Sequence, residues 1–357
     1  MKICIVTGGS GGHIFPALTF ADGLKEKHEI TFIGNDHKME SWIIPEHHYD
    51  FKAIHNQGLQ GSKLDRVRAV FSQFKAIKQA KSILKEIKPD VLVSFGGYVS
   101  FPVVYAAKQL KIKIILHEQN ASPGKANKMA ARYANAIITC YPESFVGTKN
   151  VHMFGNPRAS LVHETFDHTQ EYERLNLKED LPLVLMVMGS QGSTSMNEKF
   201  AQYIKCFDHD EYQVVIVVGP KNYDEFIKTV DSHHENIHIV DFVDQKALLS
   251  KIDLIVCRSG ASTIAEIQSF GLASLLIPSP HVANNHQFYN AKSLVDKKAA
   301  DMIEEAYLSG ELLDQSVHAL MCDKDHRASL KEEVLKLATP NALSDMVEFV
   351  EDVSLYA

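Results

Sequence analysis

No stretch of eighteen or more apolar residues occurs in this 357-residue chain, so the sequence predicts no membrane-spanning helix. A cationic excess is missing too. Lys and Arg number 37 against 44 Asp and Glu, and a net charge of −7 excludes a chain-wide basic footprint for nucleic acid. The five cysteines (Cys4, Cys140, Cys206, Cys257, Cys322) are scattered, odd in number and never spaced C-x-x-C. They read as small hydrophobes in a reducing compartment rather than disulfide or zinc partners. Among eighteen histidines no H-E-x-x-H or comparable ligand spacing appears, so no metal and no tightly bound cofactor are expected. The N-terminus has neither a signal-peptide cleavage site nor a transit peptide's Arg/Ser bias, which points to the cytoplasm. What remains, 45% hydrophobic and 23% charged, is an ordinary globular composition of a length for about two domains.

Short, continuous, β-branched apolar runs alternate with helical patterns. They are Lys2–Thr7, Glu29–Gly34, Val91–Ser94, Ile112–His117 and Ala136–Thr139, then Leu183–Met188, Gln213–Val218, Ile237–Val240, Asp253–Cys257 and Ala273–Ile277. Such runs predict parallel strands buried on both faces, hence an α/β protein with one doubly wound sheet per half. A turn signal at Gly155-Asn156-Pro157, followed by a polar stretch to Pro182, sets the expected domains at 1–157 and 158–340. A last helix, about 341–357, is expected to pack back on the first.

Five loops follow strands and precede helices. In Gly8-Gly9-Ser10-Gly11-Gly12-His13 the glycines permit close approach of a ligand and the helix N-terminus favours oxygens. His13-Ile14 stands where a Walker A loop needs Lys-Ser/Thr, and Ile14 stands where the dinucleotide fingerprint needs its third glycine. The literal G-x-S-x-G match reads as accidental, because a nucleophile elbow borrows an oxyanion donor from an earlier strand and none precedes this one. A glycine turn that merely lets helix and strand pack is the stronger rival. Ser94 to Ser100, with Gly96-Gly97-Tyr98, and Met188-Gly189-Ser190-Gln191-Gly192-Ser193 repeat the arrangement, and the latter suits a phosphate or pyrophosphate. In Arg258 to Glu266 a strand ends, a small-residue turn follows, and an acidic residue enters a helix. That pattern suits a carboxylate on ribose hydroxyls with Arg258 on phosphate oxygens, against the plainer reading of Glu266 as a helix-dipole residue. The loop Pro278 to Gln287 is rich in amide and imidazole donors. Asp208-His209-Asp210 has a D-x-D form but precedes a strand, at the wrong end of a parallel sheet, and reads as a solvated turn.

Taken in order, Gly8 to Pro16, Gly96 to Ser100, His117-Glu118-Gln119-Asn120, Gly189 to Gly192, Arg258 to Glu266 and His286 to Ala291 resemble the MurG family. These are the N-acetylglucosaminyltransferases that make lipid II from lipid I. The resemblance spans essentially the whole chain. It implies a GT-B fold and an inverting transfer of N-acetylglucosamine from UDP-N-acetylglucosamine to the C4 hydroxyl of the muramoyl sugar. It further implies His13 as general base, Ser190 at the α-phosphate, Glu266 at the ribose, and Val243 at the uracil through its backbone. Ser10, Gly11, Gly12, Asn120, His286 and Gln287 would meet the donor, with Arg258 and the turn Ala261, Ser262, Thr263, Ile264, Ala265 beside it. Tyr98 and Asn127 would line the acceptor side. Two departures stand out: Met188 replaces a glycine of the third loop, and Gly155-Asn156-Pro157-Arg158 is one residue short, displacing Arg158 from its expected uracil contact. A UDP-sugar epimerase or hydrolase, or a non-catalytic UDP-sugar scaffold, would share the nucleotide loops.

A lipid-linked acceptor requires contact with a membrane, placing the protein peripherally on its cytoplasmic face, with cell-wall synthesis proteins as further partners. Between Lys63 and Lys88 eight basic residues face two acidic ones, so the rest of the chain carries −13. Helical winding puts Ala76, Ala80, Ile83, Leu84 and Ile87 on one face and Val67, Phe71 and Phe74 opposite, in line with Lys78, Lys81 and Lys85. An apolar cluster among lysines suits an anionic bilayer. The alternative is a break near Ser72-Gln73 that turns the aromatic residues inward.

Overall fold

The computed structural model describes residues 1–56, 63–189 and 192–355, with side chains for all of these but 63–71 and 354–355. The chain divides into two compact units: an N-unit of Met1–Ser160 with Thr339–Ala357, and a C-unit of Leu161–Ala338.

The N-unit holds strands β1 (Lys2–Val6), β2 (Glu29–Asn35), β3 (Asp50–Ile54), β4 (Val91–Ser94), β5 (Lys113–Glu118), β6 (Ala136–Thr139) and β7 (Val151–Met153). They form one sheet in the order β3-β2-β1-β4-β5-β6-β7, every pair parallel. The C-unit holds β8 (Leu183–Val187), β9 (Gln213–Val217), β10 (Ile237–Val240), β11 (Ile252–Cys257), β12 (Ala273–Leu276) and β13 (Asp301–Met302). Its order, β10-β9-β8-β11-β12-β13, repeats the first and is again parallel. Each unit reverses its strand order once, between β1 and β4 and between β8 and β11. Open α/β sheets bind ligands at the carboxyl ends of the strands at such a reversal.

Continuous apolar runs become central strands because helices cover both faces. Alternate residues of one strand serve opposite cores. Ile3 and Ile5 pack with the helix Gly11–Asp22 and with Met346 and Val350 of the C-terminal helix Ala342–Leu355, while Cys4 and Val6 pack toward the helices Lys63–Ile87 and Ser100–Gln109. Each such wholly buried Ile or Val contributes about 1.5–3 kcal/mol. All ten expected strands are present. Three more, β3, β7 and β13, are the short or half-exposed outer strands.

The helix Lys63–Ile87 runs unbroken through Ser72-Gln73, so it has no break there. Ala76, Ala80 and Leu84 are buried on its inner face, and Phe74 is 63% exposed. The side chains of Val67 and Phe71 lie outside the described residues. No helix among the described residues is long and apolar enough to cross a membrane.

Candidate active site

In the N-unit the loops after β1 and β4 touch backbone to backbone. Gly97 has φ +90°, and a Cβ there would lie 2.2 Å from the Gly8 carbonyl oxygen, so only glycine permits the approach. Ser10 is the N-cap of the helix Gly11–Asp22, and His13 is its third residue. The Ser10 hydroxyl lies 3.0 Å from His13 Nδ1. With Nδ1–H donated to Ser10, Nε2 keeps the lone pair that a base requires. The imidazole lies against Gly96, where a Cβ would come within 3.2 Å of Nε2 and 3.7 Å of Asn127 Nδ2. His13, Gly96 and Asn127 thus meet at the sheet reversal.

Asn127 is buried and donates to the His117 carbonyl at 3.1 Å and to Glu118 at 2.9 Å; its Oδ1 has no partner. Glu118, at the end of β5, is buried and accepts four N–H bonds, from Asn120 backbone and side chain, Gly124 backbone and Asn127. One carboxylate therefore sets the loop carrying Asn120 and the first turns of the helix Lys125–Ala130. Neighbouring His117 is no base. It is fully buried between the Gly155 carbonyl and Gln119, and burial pushes its pKa down to about 4, against a smaller upward pull from the Gly155 hydrogen bond. Tyr98 is half-exposed beside Gly97.

In the C-unit the loop after β8 leads into the helix Thr194–Cys206, capped by Ser193, and the loop after β11 into the helix Ala261–Phe270. Gly192 has φ +71°, and a Cβ there would meet the Val218 carbonyl oxygen at 2.1 Å. Ser190 lies outside the described residues. Arg258 is buried. Its guanidinium donates to the Ile277 carbonyl at 3.0 Å and the Ser193 hydroxyl at 3.1 Å, and pairs with Glu305 at 2.6 Å. The guanidinium is thus held from inside the unit rather than aimed outward, and it acts on the β8 loop through Ser193. Glu305 also accepts from Ser195 at 2.6 Å. Burial raises the Glu305 pKa, but the hydrogen bonds from Ser195 and Arg258 and the guanidinium charge outweigh it, leaving the carboxyl below its usual range.

Glu266, six residues into its helix and buried, accepts from Gln245 Nε2 at 3.1 Å. That contact brings the segment after β10, with buried Val243, against the β11 helix. Ala261, Ile264 and Ala265 are buried, Thr263 is half-buried, and the Ser262 hydroxyl is a buried group without a partner. Asn284 and Asn285 are both left-handed, at φ +55° and +51°, and turn the chain into the helix His286–Val295. Gln287 is latched there: its Oε1 accepts from Ser279 N–H and its carbonyl from the Ser259 hydroxyl, both at 2.8 Å. His286 Nδ1 lies 2.9 Å from the Ala283 carbonyl. Arg158 sits in the N-unit, its amide donating to Asn156 Oδ1 at 3.1 Å. Among the described residues two groups, Asp36–His37–His55 and His209–Glu211–His318, have ligand-type atoms within 4.8 Å of one another, outside these loops.

Residues 3–139 match the glycosyltransferase family 28 N-terminal domain and residues 183–346 its C-terminal domain. A Halalkalibacterium halodurans protein named UDP-N-acetylglucosamine--N-acetylmuramyl-(pentapeptide) pyrophosphoryl-undecaprenol N-acetylglucosamine transferase is 37% identical, over 99% of this chain and 100% of its own. The crystal structure of Acinetobacter baumannii MurG superposes with TM-score 0.80 at 27% identity, covering 98% of this chain and 99% of that one. The chain belongs to the MurG family. Its two parallel-sheet units are those of a GT-B glycosyltransferase, as the motifs led one to expect. A UDP-GlcNAc 2-epimerase from Neisseria meningitidis, at TM-score 0.67 and 14% identity over 99% of this chain and 100% of its own, shares the fold alone.

Within this family member three carboxylates at the loops, the buried Glu40 and Glu118 and the half-buried Glu305, receive no role of their own from sequence reasoning, although Glu118 lies in the His117–Asn120 motif. Their partners are mostly backbone amides or side chains distant in the chain, and no spacing pattern announces them.

Proposed function

We infer that this protein is the inverting glycosyltransferase that moves N-acetylglucosamine from UDP-N-acetylglucosamine to the C4 hydroxyl of the muramoyl sugar of lipid I, giving lipid II for peptidoglycan. The observation that carries the reading is the 37% identity, end to end, to an enzyme named for this transfer. Two tasks have to be met: a base for the acceptor hydroxyl and stabilisation of charge on the departing diphosphate. The N-unit supplies the first. His13 Nε2 takes the proton, Ser10 fixes the ring, and Asn127 and Tyr98 line the acceptor side.

The C-unit suits the donor. Two helix N-termini and the neutral Arg258–Glu305 pair lie at its loops, and dipoles of that sense stabilise a diphosphate. In this reading Ser190 and Ser193 hold the α-phosphate and Glu266 accepts the ribose hydroxyls. The Val243 backbone reads the uracil, while Ser262, Thr263, His286 and Gln287 surround the diphosphate and sugar. Ser10, Gly11, Gly12 and Asn120 complete the sugar contacts, and Arg158 belongs to the donor side in the same reading. No cofactor is tightly bound and the diphosphate is stabilised without a metal.

The protein acts peripherally on the cytoplasmic face of the membrane. Exposed Phe74, with Lys78 and Lys81 on the same helix, docks on anionic lipid, an arrangement the unbroken helix favours. Purified protein given UDP-N-acetylglucosamine with and without lipid I tests the function. A lipid-linked disaccharide appearing in step with UDP supports it; an epimerised donor, or UDP released without disaccharide, refutes it.

A further inference from the structure

We propose that Glu40 and Asn56 are positioning residues that hold the His13 loop and the Tyr98 loop in one catalytic geometry. Glu40 opens the short helix that follows β2 and is wholly buried. Its Oε2 accepts the Gly9 N–H at 3.0 Å and its Oε1 the Asn35 N–H at 3.1 Å. The relay continues from there. Asn35 Oδ1 accepts the Asn56 N–H at 3.0 Å, and Asn56 Nδ2 donates to the Tyr98 carbonyl at 2.7 Å. Gln73 Nε2, on the long helix, donates to Asn56 Oδ1 at 2.8 Å. Asn35 and Asn56 are buried as well. The loop after β1, the ends of β2 and β3, the loop after β4 and the long helix are therefore joined by one chain of buried and part-buried hydrogen bonds.

The surrounding glycines show how closely the carboxylate is fitted. A Cβ at Gly8 would lie 2.2 Å from Glu40 Oε1, and one at Gly34 would lie 2.6 Å from Glu40 Cγ. A buried carboxylate is costly unless hydrogen-bonded, and an apolar side chain would fill the same space without that cost. What the carboxylate adds is two acceptors on one rigid group. One fixes Gly9, at φ +89°, just before the Ser10–His13 pair, and the other fixes the strand end that leads through Asn56 to Tyr98. Glutamine has only one such oxygen. Its NH₂ would face one of the two N–H donors, so Glu40→Gln releases one end of the relay while keeping its volume.

The proposal rests on the transferase reading, and the turnover of the wild-type protein is its control: a wild-type chain that forms no disaccharide refutes that reading, not the relay. A misplacement of about 1 Å costs about 10²-fold in rate. Glu40→Gln is expected to lower kcat on that scale, with KM for UDP-N-acetylglucosamine within about twofold of wild type. Asn56→Ala, which leaves the Glu40 bond to Gly9 in place, is expected to raise KM for lipid I about tenfold. Because both residues act through one network, the double variant should lose less than the product of the single losses. A Glu40→Gln protein with kcat within twofold of wild type overturns the proposal. So does strict multiplication of the two effects in the double variant. Should Glu40→Gln fail to fold, Asn56→Ala decides alone: an unchanged lipid I KM would make the relay mere packing.

Discussion

The N-unit and C-unit share one strand order but brace their loops with different side-chain chemistry. Under the β1, β4 and β5 loops of the N-unit lie Glu40 and Glu118, carboxylates satisfied chiefly by backbone amides. Under the β8 and β11 loops of the C-unit lies Arg258, neutralised by Glu305 and tied to Ser193. Carboxylates tied to backbone amides can hold the first set of loops around an imidazole, whereas helix N-termini above a net-neutral pair suit an anion. The same topology thus carries two kinds of bracing beneath its loops.

The sharpest way to break this comparison is at His13. His13→Ala should cut turnover about 10²–10⁴-fold, the usual contribution of a general base, while UDP affinity stays within about twofold. Loss of UDP affinity at unchanged turnover would move His13 to the donor's side. Next in size is Arg258→Met, which strands Glu305 without its cation. Breaking a buried pair from one side costs about 3–5 kcal/mol, read as a lowered midpoint in thermal or urea unfolding. An unshifted midpoint would show that the pair does not brace the loop. Glu266→Ala should weaken UDP binding by roughly 10- to 100-fold, the value of about 1.5–3 kcal/mol for hydrogen bonds to a charged group. Calorimetry that finds UDP affinity unchanged in a folded variant would return Glu266 to a helix-dipole role.

A smaller effect concerns pH. His117 is neutral in the fold with its pKa pushed down to about 4, while the unfolded chain protonates near 6.5. As pH falls below 6.5 the unfolded state gains a proton that the folded state refuses, so stability is lost between pH 6.5 and about 4. By pH 5 this amounts to about 2 kcal/mol, and replacing His117 with Gln should flatten that part of the pH–stability curve. A slope equal to that of wild type would contradict the assignment of His117 as a neutral core group. Smallest of all, Phe74→Ser should weaken binding to anionic vesicles severalfold without altering UDP affinity. Unchanged vesicle binding would remove this helix as the docking surface.

The central strands were legible because burial on both faces leaves a continuous apolar run, as in Ile3–Val6 or Val184–Val187. β3, with Asp50 and Lys52 and half-exposed side chains, carries no such run, and β7 and β13 are too short to carry any pattern. Glycine loops and the Arg258–Glu266 turn were legible because local backbone geometry restricts the residue type. Arg258 itself was read as reaching outward, yet its partners Glu305 and Ile277 come from elements far along the chain. Glu40 lies within an unremarkable Met39-Glu40-Ser41 step. Only tertiary packing places it beneath Gly8 and Gly9, which is why a local pattern could not find it.

The division of labour between the units is tested most directly by hydrogen–deuterium exchange of the purified protein with and without UDP. The account predicts slowed exchange at 188–194, 243–246 and 258–266 in the C-unit, and none at 8–13 or 95–100 in the N-unit. Protection centred on 8–13 and 95–100, with 258–266 unaffected, would contradict it.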